Sequence, residues 1–112
     1  MFCGCSSLKE INLNNFNTNK VTFMKAMFKD CSSLKEINLS NFNSIYVTDM
    51  SYMFYGCSSL QDIHIENLNV DNVICMDKMF YGCSDRLKLK VKEQNKNINN
   101  EAFNENINDD EQ

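Results

Sequence analysis

Residues 27–52 read MFKDCSSLKEINLSNFNSIYVTDMSY, and residues 53–78 read MFYGCSSLQDIHIENLNVDNVICMDK. Laid one above the other, the two rows agree in phase from end to end. The row before them, residues 1–26, reads MFCGCSSLKEINLNNFNTNKVTFMKA, and a fourth row begins MFYGCSDRLKLKV at residue 79 before losing the pattern. Cys5, Cys31, Cys57 and Cys83 form one column of period 26, and Met1, Met27, Met53 and Met79 form another. No insertion breaks the phase, so the chain is built from a repeated sequence unit. A period of 26 falls within the range of leucine-rich repeats.

Inside each unit, Leu34-x-x-Ile37-x-Leu39 carries the leucine-rich spacing. Alternation at Ile37 and Leu39 predicts a short strand with those side chains inward and Glu36, Asn38 and Ser40 outward. Val47, Met50, Phe54 and Cys57, with Met53 filling in, follow a helical spacing and predict one or two helical turns. The column Gly4, Asp30, Gly56, Gly82 precedes each cysteine. Glycine and aspartate tolerate the left-handed conformation that ends a helix, so this column reads as a stop. A single unit leaves both flanks of its core exposed, and only stacking on neighbours covers them. The expected architecture is therefore an α/β repeat solenoid, leucine-rich-repeat-like, with short parallel strands on one face and short helical segments on the other. It spans residues 1–91 as repeats 1–26, 27–52 and 53–78 and a partial repeat 79–91.

Stacked copies predict ladders of identical side chains. The cysteine column reads as buried free thiols, because a ladder spreads potential metal ligands along a line rather than around a point. Cys3 and Cys75 break the period and are the expected exposed, reactive thiols. Asn15, Asn41 and Asn67 form one amide column and Asn17, Asn43 and Asn69 a second. Stacked amides bond to each other or cap loop backbone. Without a proline in the chain, some such device has to shape the turns.

The fourth row keeps Leu89 and Val91 in phase with Ile63 and Ile65, which favours a last strand to about Val91 and a weak helix around 100–106. A second phase, Leu87, Val91, Ile98 and Ala102, is the one a capping helix would use. Residues 92–112 are Asn-rich and acidic at the end, and read as a polar cap with a disordered terminus. Met1-Phe2 opens in mid-repeat and leaves that coil face bare, so self-association through the uncapped N-terminal repeat is expected.

The unit, with its Val-Thr-x-Met, Met-Phe-x-x-Cys-Ser-x-Leu and Ser-Asn-Phe elements, resembles the BspA-like leucine-rich-repeat surface proteins. The resemblance covers residues 1–91. It implies a curved solenoid displayed on cells for adhesion, and no catalytic residue. The compartment stays open. Residues 1–5 lack the basic and apolar regions of a signal peptide, so the chain is a piece of an exported parent at the cell surface, or it is intracellular.

Bulk chemistry narrows the function. A formal net charge of −4 and no basic stripe argue against nucleic acid, and no apolar run is long enough for a membrane span. The one histidine, His64, lies in the outward column Asn12, Asn38, His64, Lys90 with no nucleophile poised beside it. No enzyme activity and no cofactor or metal is expected. One outward column draws notice: Glu10, Glu36 and Asp62 stack three carboxylates, ending on Lys88. It reads either as a solvated face or as a docking site for a basic protein segment, with Asn38 and His64 as further contacts. The chain is accordingly expected to be a non-enzymatic protein-interaction module of adhesin type acting through its strand face. The alternative is an architectural spacer, a section of a longer array with no partner of its own.

Overall fold

The computed structural model describes residues 4, 10–11, 21–40 and 42–103. Three short strands form one parallel sheet in the order β1-β2-β3: β1 is Glu10–Ile11, β2 Glu36–Asn38 and β3 Asp62–His64. The register follows the sequence period, with Glu10 beside Glu36, Ile37 beside Ile63 and Asn38 beside His64. Ile37 and Ile63 are buried and their neighbours exposed, as alternation requires. A second line of parallel bridges joins Phe23, Asp49 and Cys75.

The segments between the strands are where expectation fails. In an α-helix every N–H reaches the carbonyl four residues back. Here the N–H groups alternate. Those of Met53, Tyr55 and Cys57 bond three residues back, to Met50, Tyr52 and Phe54 at 3.1–3.2 Å. Those of Tyr52, Phe54 and Gly56 point sideways instead, to the carbonyls of Asp77, Met79 and Tyr81 at 2.8–3.0 Å. Tyr52 and Gly56 also have positive φ, 58° and 77°, which interrupts any right-handed helix. The result is a string of turns. Val47, Met50, Met53, Phe54 and Cys57 are all buried as the spacing required, but they reach the core without a helix.

The expected α/β leucine-rich-repeat-like solenoid, with helical segments opposite its strands, is therefore corrected. The described residues form a compact body of 43 × 31 × 24 Å with a small parallel sheet, and its one α-helix follows the last strand.

That helix, α1, covers Asp85–Gln94 and replaces the strand expected to about Val91. Ser84 caps it by accepting from the Leu87 N–H at 3.2 Å, with Asp85 in the first turn and Lys92 in the last, both favourable to the helix dipole. Leu87 and Val91, one helical turn apart, are fully buried, whereas Leu89 is 62% exposed. The phase Leu87, Val91, Ile98, Ala102 is the buried one, and the strand phase is not. The helix expected around 100–106 appears as a 3₁₀ helix at Asn100–Phe103; residues 104–112 lie outside the described residues.

Through the core runs a stack of aromatic rings, Phe28–Phe54–Phe80–Phe103, with centroids 5.4, 5.3 and 5.6 Å apart and planes within 15° of parallel. Turns are shaped by side-chain acceptors rather than by proline. Asn38, Asn43, Asp49, Asn69, Asn95 and Asn99 each accept the N–H two residues on, at 2.8–3.2 Å. This gives five of the asparagines of a proline-free chain a part in its turns.

Candidate interaction surface

The pleat of β2 and β3 turns Glu36, Asn38, Asp62 and His64 outward. Parallel pairing in register sets Glu36 against Asp62 and Asn38 against His64, on strands about 4.8 Å apart. The backbone of Glu10 continues the row, while its side chain lies outside the described residues. Adjacent carboxylates repel, and the structure relieves this at one end. Lys90, on α1, donates to Asp62 Oδ1 at 3.2 Å and to the Gln61 carbonyl at 2.8 Å. Sequence phase had placed Lys88 at the end of the acidic column. Helix formation instead turns Lys88 inward and delivers Lys90 one turn-face away. Among the described residues Glu36 has no ion-pair partner, so the row carries one compensated and one uncompensated carboxylate. Asn38 spends its carbonyl oxygen locally on the Ser40 N–H, leaving its amide NH₂ outward.

A hollow of about 400 Å³ adjoins this face, lined by Ser58, Ser59, Gln61, Asp62, Arg86 and Lys90 among others. Its lining is mostly polar, unlike the apolar cleft of a small-molecule site. His64 is not among the lining residues, so the structure does not bring a base to the serines. Among the described residues no three His, Cys, Asp or Glu side chains cluster as a metal site would require. No helix among them is long and apolar enough to cross a membrane.

Cys31, Cys57 and Cys83 are buried thiols. The thiols of Cys57 and Cys83 donate to the carbonyls of Phe28 and Phe54 at 3.2 and 3.3 Å. Burial pushes the Cys57 thiol far above its ordinary value, and the neighbouring Cys83 and Cys31 add to it. Cys83 is pushed up to about 12, chiefly by burial. Cys75 is half-buried rather than exposed. Asn67 is exposed. Cys3, Cys5, Asn15 and Asn41, and the expected bare N-terminal face, fall outside the described residues.

One face was missed by the sequence reading. Tyr55 stacks on Tyr81 at 5.3 Å and meets Tyr52 at 5.6 Å, while the Lys29 ammonium lies 5.8 and 5.4 Å from the Tyr52 and Tyr55 rings. Lys78 sits 5.5 Å from the Tyr81 ring. Tyr55 and Tyr81 are one period apart, which was the available signal. These rings already hold cations from their own chain.

Residues 1–98 match the model of one family, described as "Mycoplasma protein of unknown function, DUF285". No curated protein and no solved structure matches the chain.

Proposed function

We propose a non-catalytic binding role for this chain, which belongs to the DUF285 family: it holds a partner protein through the outward strand face, and the partner presents a basic segment. The observation that carries the reading is the in-register pair Glu36 and Asp62 on the parallel sheet, of which only Asp62 is compensated. Lys90 supplies an intramolecular example of the contact, an ammonium bound at once by the Asp62 carboxylate and the Gln61 carbonyl. A partner lysine placed over Glu36 would meet the carboxylate one strand further along, while the equivalent Lys35 carbonyl is already taken by the Gln61 and Asp62 N–H groups. Asn38 and His64 provide polar contacts beside it. The likeness of the unit to BspA-like surface repeats adds support for an adhesin-type setting.

Binding of a labelled oligolysine peptide tests this. Glu36→Lys with Asp62→Lys is expected to weaken binding at least about tenfold. Asp71→Lys with Glu93→Lys changes net charge equally at exposed positions off the strand face, and is expected to weaken it far less. Equal effects of the two pairs would reduce the attraction to net charge alone. A chain that binds no basic peptide at low salt would be an architectural spacer.

A further inference from the structure

Helix α1 stands beside β3 where the repeat would set a further strand, and a helix does not fill a strand's place. Neighbouring strands lie about 4.8 Å apart, whereas a helix with its side chains is about 10 Å across. Long side chains therefore bridge α1 to β3. Arg86, Lys90 and Gln94 follow one another at single helical turns along α1. Gln94 accepts from the Ile65 N–H at 2.9 Å and donates to the Ile63 carbonyl at 2.7 Å. Lys90 donates to the Gln61 carbonyl and to Asp62. Arg86, the third of the row, makes no hydrogen bond or ion pair with any described residue. At its level the space between helix and unit stays open, as the hollow of about 400 Å³ that Arg86 lines. The sequence marks the same place. Arg86 stands in the column that Leu8, Leu34 and Leu60 fill in the other rows, so this row delivers a cation there.

The hollow's other polar groups are mostly donors. The hydroxyls of Ser58 and Ser59 make no hydrogen bond with any described residue. Ser84 Oγ accepts from the Leu87 N–H, which leaves its own proton to donate. Asp62 is the one carboxylate among the lining residues, and Lys90 holds its Oδ1. With Arg86 and Lys90 against Asp62, the lining is net positive in a chain of formal net charge −4. Such a hollow complements an oxyanion. A guanidinium offers paired N–H groups to two oxygens of one acceptor. Three hydroxyls beside it call for further acceptor oxygens, which a tetrahedral phosphate has and a planar carboxylate lacks. We propose that this hollow binds a phosphate group, held by Arg86 through two oxygens and by the hydroxyls of Ser58, Ser59 and Ser84. The group arrives as the free ion or as the head of a small phosphate monoester. The site adjoins the acidic strand face and shares Asp62 with it, but it goes beyond the proposed function and does not rest on it.

The test uses the full chain. Backbone amide shifts and the Arg86 Nε shift are followed by NMR as inorganic phosphate, and separately glycerol phosphate, replaces sodium chloride at constant ionic strength. Saturable shifts are expected at Ser58, Ser59, Ser84 and Arg86. Arg86→Gln is expected to weaken binding at least about tenfold. Lys96→Gln removes the same charge at an exposed position beyond the far end of α1, and is expected to weaken it less than about twofold. Should Arg86→Gln disturb the thermal melt, Ser58→Ala with Ser59→Ala is read in its place, with an expected loss of at least about threefold. The tighter of the two ligands identifies the source, free ion or monoester. Shifts that do not saturate with either ligand, or equal losses in Arg86→Gln and Lys96→Gln, overturn the inference.

Discussion

Cys57 and Cys83 show what period and environment each decide. Their place in a column 26 residues apart made them inward, and burial then raises their thiols. A folded-state pKa above the ordinary 9.0 means that the native state holds its proton more tightly than the unfolded chain does. The associated stability is complete below about pH 9 and is lost as pH rises toward about 12. Thermal melts are therefore expected to fall across this window, and less steeply in Cys83→Ala than in wild type. Identical slopes would remove the thiol from the alkaline response. Native alkylation is expected to modify Cys75 before Cys31, Cys57 or Cys83, because Cys75 alone of these four is not buried. Inward and outward assignments such as Leu34 against Lys35 were legible, since the strand period is 2. The positive φ at Ala26, Tyr52 and Lys78 was not, because none of these residue types signals it; the aspartate and glycine column at Asp30, Gly56 and Gly82 was.

At the scale of elements, two segments had sequences compatible with more than one conformation. Residues 47–57 place apolar side chains at helical spacing, yet an equivalent unit lies alongside and offers carbonyls, so alternate N–H groups turn sideways and the helix is lost. Spacing records which side chains are inward, and not where the backbone finds its partners. Residues 85–91 contain Leu-Lys-Leu-Lys-Val, which alternates as a strand and also sets Leu87 and Val91 one helical turn apart. Ser84 caps the helix, but serine fills this column in every row; Arg86, in a column otherwise filled by leucine, is where this row departs. The two forms bury different leucines. Leu87→Ala is expected to cost about 2–5 kcal/mol in denaturant unfolding, and Leu89→Ala less than about 0.5 kcal/mol. The reverse order would restore the strand.

For the whole molecule, the acidic row was visible from three residues one period apart. Its compensation was not, because it depends on a helix that carries Lys90 rather than Lys88 to Asp62. The pair is well exposed, and such pairs contribute about 0.2–1 kcal/mol. Lys90→Ala is thus expected to leave stability nearly unchanged and, by freeing Asp62, to tighten oligolysine binding by up to about fivefold. Added salt is expected to weaken that binding, since exposed charges are screened over about 8 Å at physiological ionic strength. The Tyr52–Tyr55–Tyr81 edge is the rival surface for any partner. Amide chemical shifts, followed by NMR during titration with the oligolysine peptide, separate the two faces. The account predicts that shifts concentrate on Glu36–Asn38 and Asp62–His64, with Lys90 responding as its contact with Asp62 is displaced. Shifts centred on the tyrosines and Lys29, or spread evenly over the chain, would contradict it.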